Sequence, residues 1–283
     1  MINFNGTLIG LEELAASEFE RSYKYGDAVF ETMRMRDGKL LFLEDHYFRL
    51  MSSMRILRMN IPMNFTMEYF EEEATKLAKK VGVEQARVRL QVMRQAPGRY
   101  TPASPVRVAW WMELEPLSSP AYALNPQGLT VELFKDHYVH AGLLSTLKSS
   151  NSLPYVLAGI FAQENNFDTV LLLNDKKNIV EAHSGNVFML RGNVLTTPPL
   201  EDGALRGIFR KNLLKWAPEL GLEVREASFN PFDLQRADEL WTTNTIAGLQ
   251  WVLQYRKKSY GSEKATEMAQ LVERKLSVLS LLE

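Results

Sequence analysis

Apolar residues recur at intervals of three and four along Leu43–Met59 and along Met67–Val81, and this spacing predicts two helices. Apolar and polar positions alternate at Arg87–Met93 and Val106–Leu114, which predicts strands; shorter strands are expected around Phe4–Leu8 and Ala28–Arg36. Further along, strands are predicted at Leu129–Phe134, Thr169–Leu173, Ile179–Glu181, Val187–Leu190 and Asp238–Thr242, with Asn174-Asp175 as a turn. Helices are predicted over Leu153–Asn165, over Leu205–Trp216 with Pro198-Pro199 before it and Pro218 after it, and over Glu263–Leu282. Helices and strands mix without strict alternation, so the expected class is α+β. Pro116–Pro126 holds three prolines, two serines and an asparagine, and reads as a linker (117–126) separating an N-terminal domain, 1–116, from a C-terminal domain, 127–283.

Composition narrows the function classes. The 283 residues are 46% hydrophobic and 24% charged, as in an ordinary globular protein able to bury a core without staples. Lys+Arg number 33 and Asp+Glu 34, a net charge of -1, so no basic excess points to nucleic acid or an anionic membrane. Without cysteine there is no thiolate nucleophile, zinc finger or iron–sulfur cluster. The start, Met1-Ile2-Asn3-Phe4, lacks the basic and apolar runs of a signal peptide, and no apolar stretch is long enough for a bilayer span. A cytoplasmic protein is expected.

The residues offer four candidate chemistries. His137 and His140 are three apart, but they stand at a predicted strand end with no cysteine and no His-Glu-x-x-His near them, so no metal site is expected. Gly-x-Ser-x-Gly is absent, and Glu181, His183 and Ser184 are too close in sequence to form a triad. A loop from Pro198 through Gly203 and Gly207 enters a helix, where unpaired N–H groups and the dipole favour phosphate. Asp238–Thr245 ends in small hydroxyl residues that suit the same anion. Each of these two features alone is also ordinary turn chemistry. Finally, Lys148 stands among small polar residues just before an apolar helix. A lysine forming Schiff bases needs a lowered pKa in a tight site, whereas an isolated lysine is ordinarily a solvated charge.

Taken in order from Tyr25 to about Val252, these pieces resemble the class IV aminotransferase family, which uses pyridoxal phosphate (PLP) and includes branched-chain and D-amino-acid aminotransferases and aminodeoxychorismate lyase. Gly26-Asp27-Ala28-Val29-Phe30-Glu31-Thr32 resembles the early strand that lines the substrate pocket, which implicates Phe30 and Thr32. His46-Tyr47-Phe48-Arg49-Leu50 resembles the His-x-x-Arg-Leu helix, which implies that Arg49 binds the cofactor phosphate. The resemblance makes Lys148 the Schiff-base lysine, with Asn151 three residues on, and makes Glu181, followed by Asn186-Val187-Phe188, the partner of the pyridine nitrogen. It further implies that Leu205 packs on the ring and that Gly207, Ile208 and Phe209 hold the phosphate, Phe209 replacing the usual threonine. Thr245 matches a phosphate-binding threonine, and Asn244 stands where glycine is common. The implied architecture is the two-domain D-amino-acid aminotransferase-like PLP-dependent fold, with the cofactor trapped between two α+β domains, in a homodimer.

The reaction stays open among three readings: an aminotransferase acting on an amino acid or related amine-bearing carboxylate, aminodeoxychorismate lyase, and a non-catalytic PLP-binding protein. Lys148-Ser149-Ser150-Asn151 lacks the Gly-Gly-Asn-Tyr of typical branched-chain enzymes. Gln91–Tyr100 resembles the arginine loop of the D-amino-acid and lyase branches, which makes Arg99 the candidate for a substrate carboxylate and Arg94 the alternate. Phe30 stands where D-amino-acid enzymes carry tyrosine, and Thr32 after Glu31 is lyase-like. Retention of both Lys148 and Glu181 argues against mere binding.

Overall fold

A computed structural model describes residues 1–282, which divide into two compact units: Met1–Pro120 with Lys148–Asn151, and Ala121–Leu147 with Ser152 onward. The first unit contains β1 (Ile2–Phe4), β2 (Thr7–Ile9), α1 (Glu20–Tyr25), β3 (Ala28–Arg36), β4 (Lys39–Leu40), α2 (Leu43–Ile56), α3 (Met67–Val81), β5 (Ala86–Gln95) and β6 (Arg107–Pro116). Its strands form one antiparallel sheet in the order β2-β1-β6-β5-β3-β4. Thr66 caps α3 by accepting the Tyr69 N–H, and Phe70, Ala74, Leu77 and Ala78 form its buried stripe. That stripe packs with Leu50, Met51 and Met54 of α2 and with Val29, Met33 and Met35 of β3 in one apolar core. Each such large side chain contributes roughly 1.5–3 kcal/mol when fully buried.

Side chains alternate across a strand, so Phe30 and Thr32 lie on the sheet face opposite this core. The register sets Phe30 opposite Gln91 and Thr32 opposite Arg89, which gives that face a polar lining.

The second unit contains β7 (Leu129–Val139), α4 (Leu153–Glu164), β8 (Thr169–Asn174), β9 (Ile179–Ala182), β10 (Asn186–Arg191), β11 (Val194–Thr197), α5 (Ile208–Trp216), β12 (Glu223–Glu226), β13 (Glu239–Asn244), β14 (Gly248–Tyr255), β15 (Lys258–Ser259) and α6 (Glu263–Leu282). The main path of its mixed sheet is β12-β11-β10-β13-β14-β7-β8-β9. Only His183–Gly185 join β9 to β10, although four strands lie between them in the pairing order, so the sheet curls. Ala158 and Ala162 seat α4 against Phe134, Val170, Leu172 and Val180. Among the described residues no helix is long and apolar enough to cross a membrane.

Two expectations change. Lys148–Asn151 belongs with the N-terminal unit and not with the C-terminal residues around it. The cause is the open edge of β3: β4 pairs only with Met35 and Arg36, which leaves the start of β3 available. There the Phe30 N–H donates to the Lys148 carbonyl at 2.8 Å, the Ser150 N–H donates to the Ala28 carbonyl at 3.0 Å, and Val29 pairs with Ser149. The chain also passes from one unit to the next at Pro120-Ala121, inside the expected linker, and Tyr122 is already a buried residue of the second unit. Its hydroxyl donates to the Thr245 carbonyl at 2.7 Å, and the Asn125 N–H is held by Gln250, so this stretch is packed chain.

Candidate active site

Lys148 is half-buried, and its Nζ lies 4.5 Å from the centre of the Phe30 ring. The opening before β3 is shaped for this segment. Gly26 has φ +64, which favours glycine, and a Cβ there would lie 2.3 Å from Oδ1 of Asn151, so any larger residue would push the Asn151 side chain aside. Asn151 Nδ2 donates to the Gly26 carbonyl at 3.4 Å, which gives the asparagine three residues after the lysine a structural task. Arg89, which no local motif marks, places its guanidinium 3.9 Å from the same Phe30 ring. Its position opposite Thr32 on an alternating strand was the available signal.

Behind β3 lies a buried ionic cluster. Arg49 Nε donates to Glu31 Oε1 at 2.9 Å, Arg49 Nη2 donates to Glu31 Oε2, and His46 Nδ1 lies 2.6 Å from Glu31 Oε2. Burial raises the Glu31 pKa, but the Arg49 charge and the hydrogen bonds from Arg49 and His46 outweigh it and hold the carboxyl at about 2. Burial lowers the His46 pKa against the pull of Glu31. His46 is therefore the neutral imidazole that donates from Nδ1, and its buried Nε2 has no partner among the described residues.

The two loop arginines separate. Arg94 is committed: Nε donates to the Asp27 carboxylate at 3.0 Å, Nη1 to the Arg58 carbonyl at 3.1 Å and Nη2 to the Leu57 carbonyl. Arg99 stands exposed on the loop after β5, and its carbonyl accepts from Arg21 at 2.7 Å.

The second unit gathers the other expected residues. Glu181 is 2% exposed on β9. The Tyr155 hydroxyl donates to its Oε1, and the Leu205 N–H donates to its Oε2 at 3.3 Å. The Leu205 carbonyl accepts from Asn186 Nδ2 at 2.9 Å and from the Gly207 N–H at 2.8 Å. These bonds hold Leu205 outside the helix that the periodicity started there; α5 begins at Ile208. A Cβ at residue 207 would lie 1.9 Å from Asn186 Oδ1, so only glycine fits against that asparagine. No side chain caps Gly207, and the N-terminal N–H groups of α5 start at Ile208 and Phe209. The Tyr122 ring stands edge-on to Phe209 at 5.4 Å and bonds the Thr245 carbonyl, which ties the helix start to the turn after β13. Asn244 Oδ1 accepts the N–H groups of Ile246 and Ala247 at 2.9 and 2.7 Å and so builds that turn with its side chain. The Thr243 hydroxyl is buried without a partner among the described residues.

Residues 28–255 match the family model described as Amino-transferase class IV. The chain belongs to the class IV aminotransferase family. A Methanocaldococcus jannaschii protein that carries the provisional name of branched-chain-amino-acid aminotransferase is 29% identical, over 97% of this chain and 94% of its own. The aminodeoxychorismate lyase of Vibrio harveyi is 26% identical, over 85% of this chain and 87% of its own. Among solved structures, the branched-chain aminotransferase of Thermoproteus uzoniensis with norvaline superposes with a TM-score of 0.87 at 24% identity, covering 96% of this chain and 93% of that one. The fold is accordingly that of the fold type IV aminotransferases.

Class IV aminotransferases are enzymes, and the family uses PLP. The donor set of this chain fits that group. A half-buried lysine suits an aldehyde, a buried carboxylate held by two donors suits a protonated ring nitrogen, and an uncapped helix start suits a phosphate. Tyr155, which bonds Glu181, sits within an apolar run of the sequence that reads as core.

Proposed function

We propose that this class IV enzyme is a PLP-dependent aminotransferase acting on an amino acid or related amine-bearing carboxylate, working as a cytoplasmic homodimer. The observation that carries the reading is Glu181, a buried carboxylate clasped by Tyr155 and the Leu205 N–H. Such a charge is costly to bury and has little use in a protein that only stores a cofactor. When bound, PLP supplies an electron sink that stabilises negative charge at the substrate α-carbon.

Each residue then has a task. Lys148 Nζ would hold the cofactor through its aldehyde and, as a free amine, would serve as the base that takes and returns the substrate α-proton. Glu181 would hold the ring nitrogen in its protonated form, and Leu205 would supply apolar contact to the ring. Gly207 lets the chain turn so that the N–H groups of Ile208 and Phe209 face a phosphate, and Thr245 adds a hydroxyl. Arg49, fixed by Glu31, supplies positive charge to the same phosphate. Phe30 and Thr32 line the substrate side. Arg99 takes the substrate carboxylate, with Arg89 as a second cation beside Phe30. Arg94 has no nitrogen left over from Asp27, Leu57 and Arg58, which supports Arg99 over it.

The homodimer is supported by α4, where Leu153, Val156 and Ile160 recur on one face and all remain exposed, at 67%, 53% and 45%. Aminodeoxychorismate lyase is the second reading, favoured by the Vibrio harveyi relative and by Thr32. One experiment separates them. Conversion of the yellow protein to its pyridoxamine form by an amino acid supports transamination. Pyruvate release from aminodeoxychorismate with no keto acceptor supports the lyase, and no spectral response to any amine supports neither.

A further inference from the structure

A carboxylate as buried as Glu181 keeps its charge only through groups that donate to it. The Leu205 N–H is a backbone donor at 3.3 Å and is the same whatever side chain stands there. The Tyr155 hydroxyl on Oε1 is different, because a substitution can remove it. Tyr155 lies in the first turn of α4, after Pro154, and its ring packs against the cluster of Phe134, Val170, Leu172 and Val180. The ring is thus held by packing while the hydroxyl points at the carboxylate. Burial, the charge of Glu181 and the hydrogen bond all raise the phenol pKa, so it stays a protonated donor across the working pH range.

We propose that Tyr155 is a positioning residue which orients the Glu181 carboxylate and holds it ionised, and so sets how strongly this site favours a protonated ring nitrogen. The inference rests on the reading of Glu181 as partner of the pyridine nitrogen. Without the hydroxyl, the carboxylate becomes more basic. The shared proton then shifts from the ring nitrogen to Glu181, and an ion pair becomes a neutral pair with no change in total charge. Phenylalanine keeps the ring and its packing and removes only the donor.

The test compares full-length apoprotein titrated with PLP and with its 1-deaza analogue, in which CH replaces the ring nitrogen. Wild type prefers PLP, and Glu181→Gln loses that preference. Tyr155→Phe lowers the ratio of the two affinities about tenfold, as expected for a hydrogen bond to a charged group. An unchanged ratio in Tyr155→Phe, with the preference lost in Glu181→Gln, overturns the role of Tyr155 and leaves that of Glu181 standing. Equal weakening of both ligands also overturns it, since that is the mark of general structural damage. No preference in wild type removes the Glu181 reading and this inference together. Should the phenylalanine variant fail to fold, 3-fluorotyrosine at 155 retains the hydroxyl as a stronger donor, and the ratio must rise; a fall or no change overturns the proposal.

Discussion

Arg49 grips Glu31 through two nitrogens on two carboxylate oxygens, on the core side of the strand whose other face carries Phe30. The pair orients a guanidinium that would otherwise sample many rotamers. Arg49→Ala leaves Glu31 buried without its main counter-charge, which costs about 3–5 kcal/mol in such pairs. We expect a lower Tm together with weaker PLP retention, and a smaller effect on turnover at saturating cofactor. Equal PLP affinity in variant and wild type would remove the phosphate role and leave Arg49 a purely structural ion.

Lys148→Ala is expected to fold as wild type, because the main chain and not the side chain pairs with β3. It should lose the visible absorbance band that the wild type shows with PLP. A band that persists in this variant would end the assignment.

Arg94 and Arg99 should respond in opposite ways. Arg94→Ala strips the Leu57 and Arg58 carbonyls of their side-chain donor and leaves Asp27 to Arg21 alone, so Tm should fall by several degrees, with about 1–3 kcal/mol for the carbonyls left without that donor. Arg99→Ala should leave Tm unchanged and raise KM for carboxylate substrates about tenfold or more. Kinetics unaltered by Arg99→Ala would shift attention to Arg89.

Acid should destabilise the N-terminal unit in two steps. His46 has a folded pKa below its ordinary 6.5, so the unfolded chain binds more protons, and stability is lost as pH falls below 6.5. Glu31, held at about 2 against an ordinary 4.5, contributes fully above 4.5 and loses its contribution as pH falls toward 2. Each proton taken up on unfolding is worth at most about 1.4 kcal/mol per pH unit. His183, also lowered by burial, adds to the wild-type slope, so the readout is the difference between wild type and His46→Asn. The slope of stability between pH 6.5 and 5 should be shallower in the variant; an identical slope would contradict the neutral state of His46.

Val156→Glu places a charge in the exposed stripe of α4. If the proposed homodimer forms through this stripe, light scattering should show wild type as a dimer and the variant as a monomer, with far-UV circular dichroism unchanged. A variant that stays dimeric would move the interface elsewhere.

Much of this architecture could be read from pattern. The strand Ala28–Arg36 and the helices Met67–Val81 and Glu263–Leu282 stand where periodicity puts them, because each buries a regular stripe or has clear caps. The helix expected from Leu205 begins at Ile208 because side-chain and backbone bonds to Glu181, Asn186 and Gly207 compete with the first turn, and pattern alone cannot see them. The strands Glu223–Glu226 and Gly248–Tyr255 escaped notice: the first is mostly exposed, and the second, Gly-Leu-Gln-Trp-Val-Leu-Gln-Tyr, does not alternate. Local motifs single out Lys148 and Glu181 as candidates. Tyr155 and Arg89 gain their meaning only from partners far away in sequence.

The pairing of residues 148–150 with the open margin of β3 makes the chain cross between its two units three times. No single cleavage can therefore yield two self-sufficient halves. A fragment running from residue 121 onward would retain Lys148 in its sequence yet have no strand on which to hang it, so that side chain would become an ordinary tail in water. Dividing this enzyme for expression or permutation has to keep residues 28–30 and 148–150 in the same piece.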